Sequence, residues 1–174
     1  MTNPRIAIAH DYITQRGGAE RVVLALTRMF PDAVLYTTLY NAETTYPEFR
    51  DVEIVTSPLN RVRFLRTHHR AALPLLAWAS SRVRVDADVL VASSSGWAHG
   101  FRNSGRKLVY CHSPARWLYR RDDYLGKEAH RSVVGWILAA LTPALSRWDK
   151  RAAATADRYL ANSTVIAERI KRAY

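Results

Sequence analysis

Cysteine is almost missing from this chain. Cys111 stands alone among 174 residues, so no internal disulfide can form, and a reducing, cytoplasmic setting is expected. Long apolar runs are missing too. The longest, Val133 to Leu145, is interrupted by Thr142 and Pro143, whereas a bilayer span needs about 20 residues. Met1–Pro4 leads straight into a strand-like segment, without the apolar stretch of a signal peptide. Neither G-x-G-x-x-G nor G-x-x-x-x-G-K-[ST] occurs, so neither a dinucleotide fingerprint nor a P-loop is supported. H-E-x-x-H and G-x-S-x-G are also lacking. His68 and His69 are adjacent and cannot share a metal from one helix face. Cys111 falls inside an apolar strand, a poor setting for a nucleophile. No metal cofactor is expected.

What is present is positive charge, unevenly placed. Residues 1–60 hold five Arg against seven acids, a balance of −2, while residues 61–174 hold 21 Lys and Arg against eight acids, a balance of +13. Such asymmetry suits an anionic partner such as a lipid phosphate, a nucleic acid or a diphosphate. A well-solvated arginine-rich surface fits the same numbers.

The hydrophobic periodicity alternates between strands and helices. Strands are expected at Arg5–His10, Ala33–Tyr40, Val52–Thr56, Asp88–Ala92, Lys107–Cys111 and Arg158–Ala161. Helices are expected at Ala19–Phe30, Arg61–Arg84 with a break or kink at Pro74, Ser132–Ala156 with a dent at Pro143, and Val165–Ala173. Asn162-Ser163-Thr164 supplies a cap for the last helix, Asn41–Arg50 reads as a polar loop, and Asp122-Asp123 as a solvated turn. This order predicts an α/β fold, a mainly parallel sheet with helices on both faces in a Rossmann-like three-layer sandwich.

The opening segment carries the sharpest signal. Arg5-Ile-Ala-Ile-Ala-His-Asp runs as a strand into a polar turn, and Gly17-Gly18 then open a helix. Glycines let an anion approach the backbone, and the helix start presents unpaired N–H groups and a positive dipole end. A Gly-Gly pair can also be a plain turn. Glu20, in the first helical turn, suits the dipole and reads equally well as a cap.

Three segments, each closing an expected strand, together resemble the N-terminal domain of family 4 retaining glycosyltransferases, which have the two-domain GT-B fold. They are His10-Asp11-Tyr12 with Gly17-Gly18-Ala19-Glu20, Tyr110-Cys111-His112-Ser113-Pro114, and Tyr159-Leu160-Ala161-Asn162-Ser163, and they span nearly the whole chain. The resemblance implies that residues 1–174 form one Rossmann-like, acceptor-side half. The nucleotide-binding half would then lie outside this chain, and the piece alone would be inactive. It further implies transfer of a sugar from a nucleotide-sugar donor, with retention, to an acceptor such as a lipid-linked or cell-envelope polysaccharide precursor, without a metal.

By the same resemblance Gly17 and Gly18 approach the donor diphosphate, His112 touches the transferred sugar near the reacting centre, and His10 and Asp11 line the acceptor cleft. From the residues themselves, Ser93-Ser94-Ser95-Gly96-Trp97 suits a cleft wall, with Trp97 offered to a sugar, or a simple polar turn. Arg116, Arg120 and Arg121 suit an acceptor phosphate, or a solvated helix face. The half-basic, half-apolar Arg61–Ala79 suits docking on anionic lipid at the inner face of the cytoplasmic membrane, or packing on the sheet with its arginines in water. Two other classes stay open. One is a non-catalytic sugar-phosphate-binding module. The other is a nucleic-acid binder using Trp117, Tyr119 and Tyr124 among basic residues, although no nucleic-acid motif is readable.

Overall fold

The central strands, Ile6–His10 and Val89–Ser94, are short and largely buried on both faces, as a parallel sheet covered by helices requires. The computed structural model describes residues 4–120 and 133–174. The strands are β1 (Ile6–His10), β2 (Val34–Thr37), β3 (Ile54–Thr56), β4 (Arg84–Val85), β5 (Val89–Ser94), β6 (Arg102–Asn103), β7 (Arg106–Cys111) and β8 (Arg158–Ala161). The α-helices are α1 (Gly18–Met29), α2 (Arg63–Thr67), α3 (Leu73–Arg82), α4 (Arg116–Tyr119), α5 (Val133–Ala153) and α6 (Thr164–Ala173). Six strands form one parallel sheet in the order β3-β2-β1-β5-β7-β8, and β4 pairs with β6 in a separate two-stranded ribbon. The result is a Rossmann-like three-layer α/β/α fold.

β1 illustrates how the sequence chooses its faces. Side chains alternate across a strand. Ala7 and Ala9 therefore pack on one side with Leu90, Ala92, Val109 and Cys111, and with Ile166 of α6. Ile8 faces the other side, against Val23 and Leu24 of α1, Leu35 and Phe49. A third cluster joins α3 to α5 through Leu73, Leu76, Leu138 and Leu145, and includes Trp97 and Trp117. Among the described residues no helix is long and apolar enough to cross a membrane.

The elements depart from the sequence reading in a few informative places. The helix expected over Arg61–Arg84 is three pieces: α2, a 3-10 turn at His69–Ala72, and α3. Pro74 causes no kink, because it sits in the first turn of α3, where its missing N–H has no partner to lose. The polar loop expected at Asn41–Arg50 ends in a 3-10 turn, Pro47–Asp51, that buries Phe49 fully. The short helix α4 follows Pro114 and Ala115, in a stretch too brief for hydrophobic periodicity to register. Ser163 caps α6 as expected, its hydroxyl accepting from the Ile166 N–H at 3.3 Å.

Gly105 marks the tightest backbone approach, at the turn entering β7. A Cβ there would collide with the carbonyl oxygens of Ala87 and Asp88, main-chain atoms that cannot swing aside. Gly105→Ala should therefore lower stability by about 1–3 kcal/mol, the range of overpacking. Gly18→Ala, with nothing within 4 Å of its added Cβ, should stay within about 0.5 kcal/mol of the parent. Urea unfolding of the two variants side by side checks the contrast.

Candidate functional site

Counted along the main sheet alone, the strand order is 3-2-1-4-5-6, so the topology reverses between β1 and β5. Open α/β sheets bind ligands in the crevice outside the strand carboxyl ends at such a switch point. Here that point is occupied by His10 at the end of β1 and Ser93 near the end of β5, which are register partners.

His10, Ser93 and His112 form a continuous row of side chains. His10 is buried, and its Nδ1 lies 2.9 Å from the Ser93 carbonyl oxygen and 3.1 Å from Ser93 Oγ. A carbonyl can only accept, so His10 Nδ1 carries the proton. Ser93 Oγ is also 2.8 Å from His112 Nε2. With Oγ accepting from His10 and its hydroxyl donating to His112, both hydrogens lying between the three side chains have acceptors. His112 then keeps its own proton on Nδ1. The two imidazoles stand edge to face, centroids 6.3 Å apart. Burial, reinforced by the neighbouring His10 and opposed by Asp11, pushes the His112 pKa down to about 4. His112 is therefore a neutral imidazole at ordinary pH.

Six sequence-identified residues converge on one cavity of about 140 Å³: His10, Asp11, Gly17, Gly18, Trp97 and Arg116. Gly17 is the N-cap of α1 with an extended backbone (φ −111°), and Gly18 is the first helical residue. The first amides of α1 thus have no intrahelical carbonyl to bind and border this cavity. Gly17 also makes room for Glu20, whose Oε2 occupies the place a Cβ at 17 would take. Glu20 is buried, so its carboxylate tempers the positive helix end while the Arg116 guanidinium adds to it.

Two residues have structural roles the sequence did not reveal. Asp11, expected in an acceptor cleft, is 3% exposed and its carboxylate is saturated. It accepts from the backbone N–H groups of Ser95 (2.6 Å), Trp97 (3.0 Å) and Ala98 (2.6 Å), and from Ser94 Oγ (3.3 Å). Trp97, expected to offer its indole to a sugar, is 1% exposed and stacks on Trp117 with centroids 4.2 Å apart. It forms the floor beneath the cavity. Gly96 between them has φ +134°, a left-handed conformation that glycine adopts without strain.

Arg120 lies away from this cavity and lines a second one, of about 190 Å³, with Ser113, Pro114, Tyr119, Arg169 and Arg172. Arg121, Asp122, Asp123 and Tyr124 lie outside the described residues. Cys111 is buried, and burial raises its thiol pKa to about 12, which suits packing and not nucleophilic chemistry. Among the described residues no three His, Cys, Asp or Glu side chains cluster to hold a metal ion. Sequence reasoning did not single out Arg169 and Arg172. The available signal was their i, i+3 spacing on a helix whose single acid, Glu168, falls off their row.

The depressed His112 value has a definite thermodynamic sign. Its folded pKa of about 4 lies below the ordinary 6.5, so between those values the unfolded chain binds a proton that the native chain does not. Stability should be complete above pH 6.5 and fall as pH drops toward 4. His112→Gln removes the titration, so the variant should lose less stability over this window. Urea midpoints at pH 7, 5.5 and 4.5 test it; parallel losses in both proteins would refute the assignment.

No protein-family model, curated protein or solved structure matches this chain.

Proposed function

We propose that this chain is the acceptor-side half of a retaining glycosyltransferase that moves a sugar from a nucleotide-sugar donor to an acceptor. The observation that carries this reading is the single cavity at the sheet's switch point. There the amide-bearing start of α1 meets Arg116 and His10, and from His10 the hydrogen-bonded row runs on through Ser93 to His112, which does not itself line the cavity. Departure of a nucleoside diphosphate needs stabilisation of developing negative charge, which helix-start amides and a guanidinium supply. The transferred sugar develops positive, oxocarbenium-like character at the same moment. A neutral His112 can hydrogen-bond a sugar hydroxyl without setting a cation beside that centre.

On this reading Gly17, Gly18 and Arg116 serve the donor phosphates and the adjacent cleft, and His112 contacts the sugar. His10 acts through Ser93 to fix the His112 tautomer, making it a positioning residue. Asp11 and Trp97 shape the site from beneath. A second domain supplies the rest of the nucleotide site, no resident cofactor is invoked, and the chain alone is not expected to turn over.

Gly18 offers a clean test, because its exposed position accepts a side chain without repacking. A Gly18→Leu variant should retain its fold and its unfolding midpoint, yet bind inorganic pyrophosphate and a nucleoside-diphosphate sugar at least tenfold more weakly, about 1.4 kcal/mol. Titration calorimetry, with circular dichroism for the fold, is the measurement. Equal affinity in parent and variant would end the assignment of α1 as a diphosphate site.

A lipid-linked acceptor would place this half at an anionic membrane. Supporting that, Val62 and Phe64 beside Arg63 and Arg66 in and around α2, Leu75 and Trp78 of α3, and Trp136 and Ile137 of α5 are all exposed apolar side chains. α3 and α5 pack on one another through Leu73, Leu76 and Leu138. Basic residues interleaved with tryptophan and aliphatic groups suit the headgroup region of anionic bilayers. The chain should pellet with phosphatidylglycerol vesicles and not with phosphatidylcholine vesicles, and Phe64→Ser/Trp78→Ser should reduce pelleting severalfold. Equal pelleting with both lipids, or none, would remove the membrane from the proposal.

A further inference from the structure

The main sheet is covered unevenly. On the side of the first core cluster, Ala7 and Ala9 of β1, Leu90 of β5 and Val109 of β7 are sealed, with Ile166 of α6 among their neighbours. The outer strands β2 and β3 continue that face with Val34, Tyr36 and Val55, which alternate with Leu35, Thr37 and Ile54 on the opposite side. Tyr36 and Val55 are register partners. Tyr36 packs against the first cluster while staying half-buried, and Val34 and Val55 join none of the three clusters. Val55 is 40% exposed. A cavity of about 590 Å³ opens beside this face, with Ala7, Phe30, Asp32, Val34, Tyr36 and Ala87 on its walls. It lies at the amino end of β1, the end away from His10.

A parallel sheet is stable in water with both faces covered, and what covers such faces is helix. An α-helix is about 10 Å across and neighbouring strands lie about 4.8 Å apart, so one helix spans both β2 and β3. The rim of the face indicates which kind of helix. Asp32 stands on the cavity wall, and Glu53, two residues before Val55, falls on the Val55 face by alternation. Both are exposed, and among the described residues neither carboxylate has an ion-pair or hydrogen-bond partner. Asp86, also on the wall, is offset by Arg5 at 3.1 Å. In a chain of formal net charge +11, two unpaired carboxylates beside an apolar strip are a local exception. They favour an occupant that carries cations. A second copy docking by the same face would set Asp32 and Glu53 against their own counterparts, and an anionic bilayer would be repelled in the same way.

We infer that the face formed by Val34, Tyr36 and Val55 docks an amphipathic α-helix of a partner protein. The apolar stripe of that helix lies on these three side chains, and lysine or arginine beside the stripe meets Asp32 and Glu53. The apolar contacts supply affinity and the two carboxylates select the sign of the partner's charge. The surface is separate from the α1 cavity, and it holds whether or not the chain is half of a transferase.

Titration calorimetry with two synthetic helical peptides tests the surface. One carries a leucine stripe flanked by lysine, and the other has glutamate in place of each lysine. The overall charge of +11 attracts the glutamate peptide, so a preference for the lysine peptide reports a local acidic surface. The lysine peptide should bind at least tenfold more tightly. Asp32→Lys/Glu53→Lys should weaken it at least tenfold, and Val55→Ser severalfold. All three side chains are exposed, so the fold should survive each change, which circular dichroism checks. Glu43→Lys/Glu168→Lys makes the same charge change elsewhere, since Glu43 borders another cavity and Glu168 pairs with Lys171 on α6. That control should stay within twofold of the parent. Absence of lysine-peptide binding, equal or tighter binding of the glutamate peptide, unchanged affinity in Asp32→Lys/Glu53→Lys, or equal loss in the control would each overturn the proposal. Sedimentation and vesicle pelleting cover the other occupants: a dimer of the chain, or vesicle binding, that Val55→Ser abolishes would give this face to a second copy or to a bilayer instead.

Discussion

The buried carboxylate of Asp11 is the constraint from which the site geometry follows. It stands just beyond β1 and takes hydrogen bonds from three successive-turn amides just beyond β5, at Ser95, Trp97 and Ala98. A parallel pair has no hairpin to hold its two carboxyl ends together, because each end runs into its own crossover. Asp11 supplies that tie. The turn it organises would otherwise bury several unsatisfied N–H groups, each costing about 1–3 kcal/mol. The same turn carries Gly96 in its left-handed conformation and swings Trp97 down onto Trp117. With the two strand ends pinned, His10 and Ser93 are held in register and the row to His112 can form.

The tie continues outward as a buried polar chain. Ser94, which donates to Asp11, also lies 3.2 Å from His99 Nδ1, and His99 Nε2 lies 3.1 Å from Asp149 on α5. Asp149 is fully buried and accepts from Tyr119 and from Tyr174, beyond α6. Its charge and their burial raise both phenol pKa values, so the two tyrosines stay protonated donors. Lys107 is tied in nearby, its ammonium donating to the His99 carbonyl at 3.0 Å and to Thr155 at 2.7 Å, with burial lowering its pKa to about 8. Apart from His99 Nε2, which lies against Asp149 without hydrogen-bond alignment, the members are hydrogen-bonded, and such a network resists rearrangement because breaking it would strand buried polar groups. It fixes α4 and α6 relative to the strand ends, and so fixes the separation of the two cavities.

The sheet was legible because its information is local. Strand identity, helix α1 and the cap at Ser163 each depend on patterns within a dozen residues. The convergence of His10, Gly17, Gly18 and Arg116 was legible as well, since strand carboxyl ends in an α/β pattern point to one crevice. The roles of Asp11 and Trp97 were not. An acidic residue at a strand end reads as a cleft group, and only the amides of residues more than 80 positions away reveal it as a structural clasp. Trp97 likewise reads as an exposed platform until Trp117 covers it. Arg169 and Arg172 escaped for the opposite reason. Arginines on the last helix look like solvated surface, and their shared direction depends on how α6 lies against the end of β7.

The neutrality of His112 gives the arrangement its chemical logic. Were that imidazole charged, it would itself attract a phosphate and compete with the α1 amides for it. Burial, reinforced by His10, opposes the charge, and the Ser93 hydroxyl meets its Nε2, so positive potential at the cavity is left to the α1 amides and Arg116. On the proposed reading, the reacting sugar then meets a hydrogen-bonding group without charge, while the α1 amides and Arg116 serve the donor phosphates. Such a division requires desolvation at the centre and solvent access at the flanks. The burial pattern has this form: His10 is enclosed, His112 is half-buried, and Gly18 and Arg116 reach solvent.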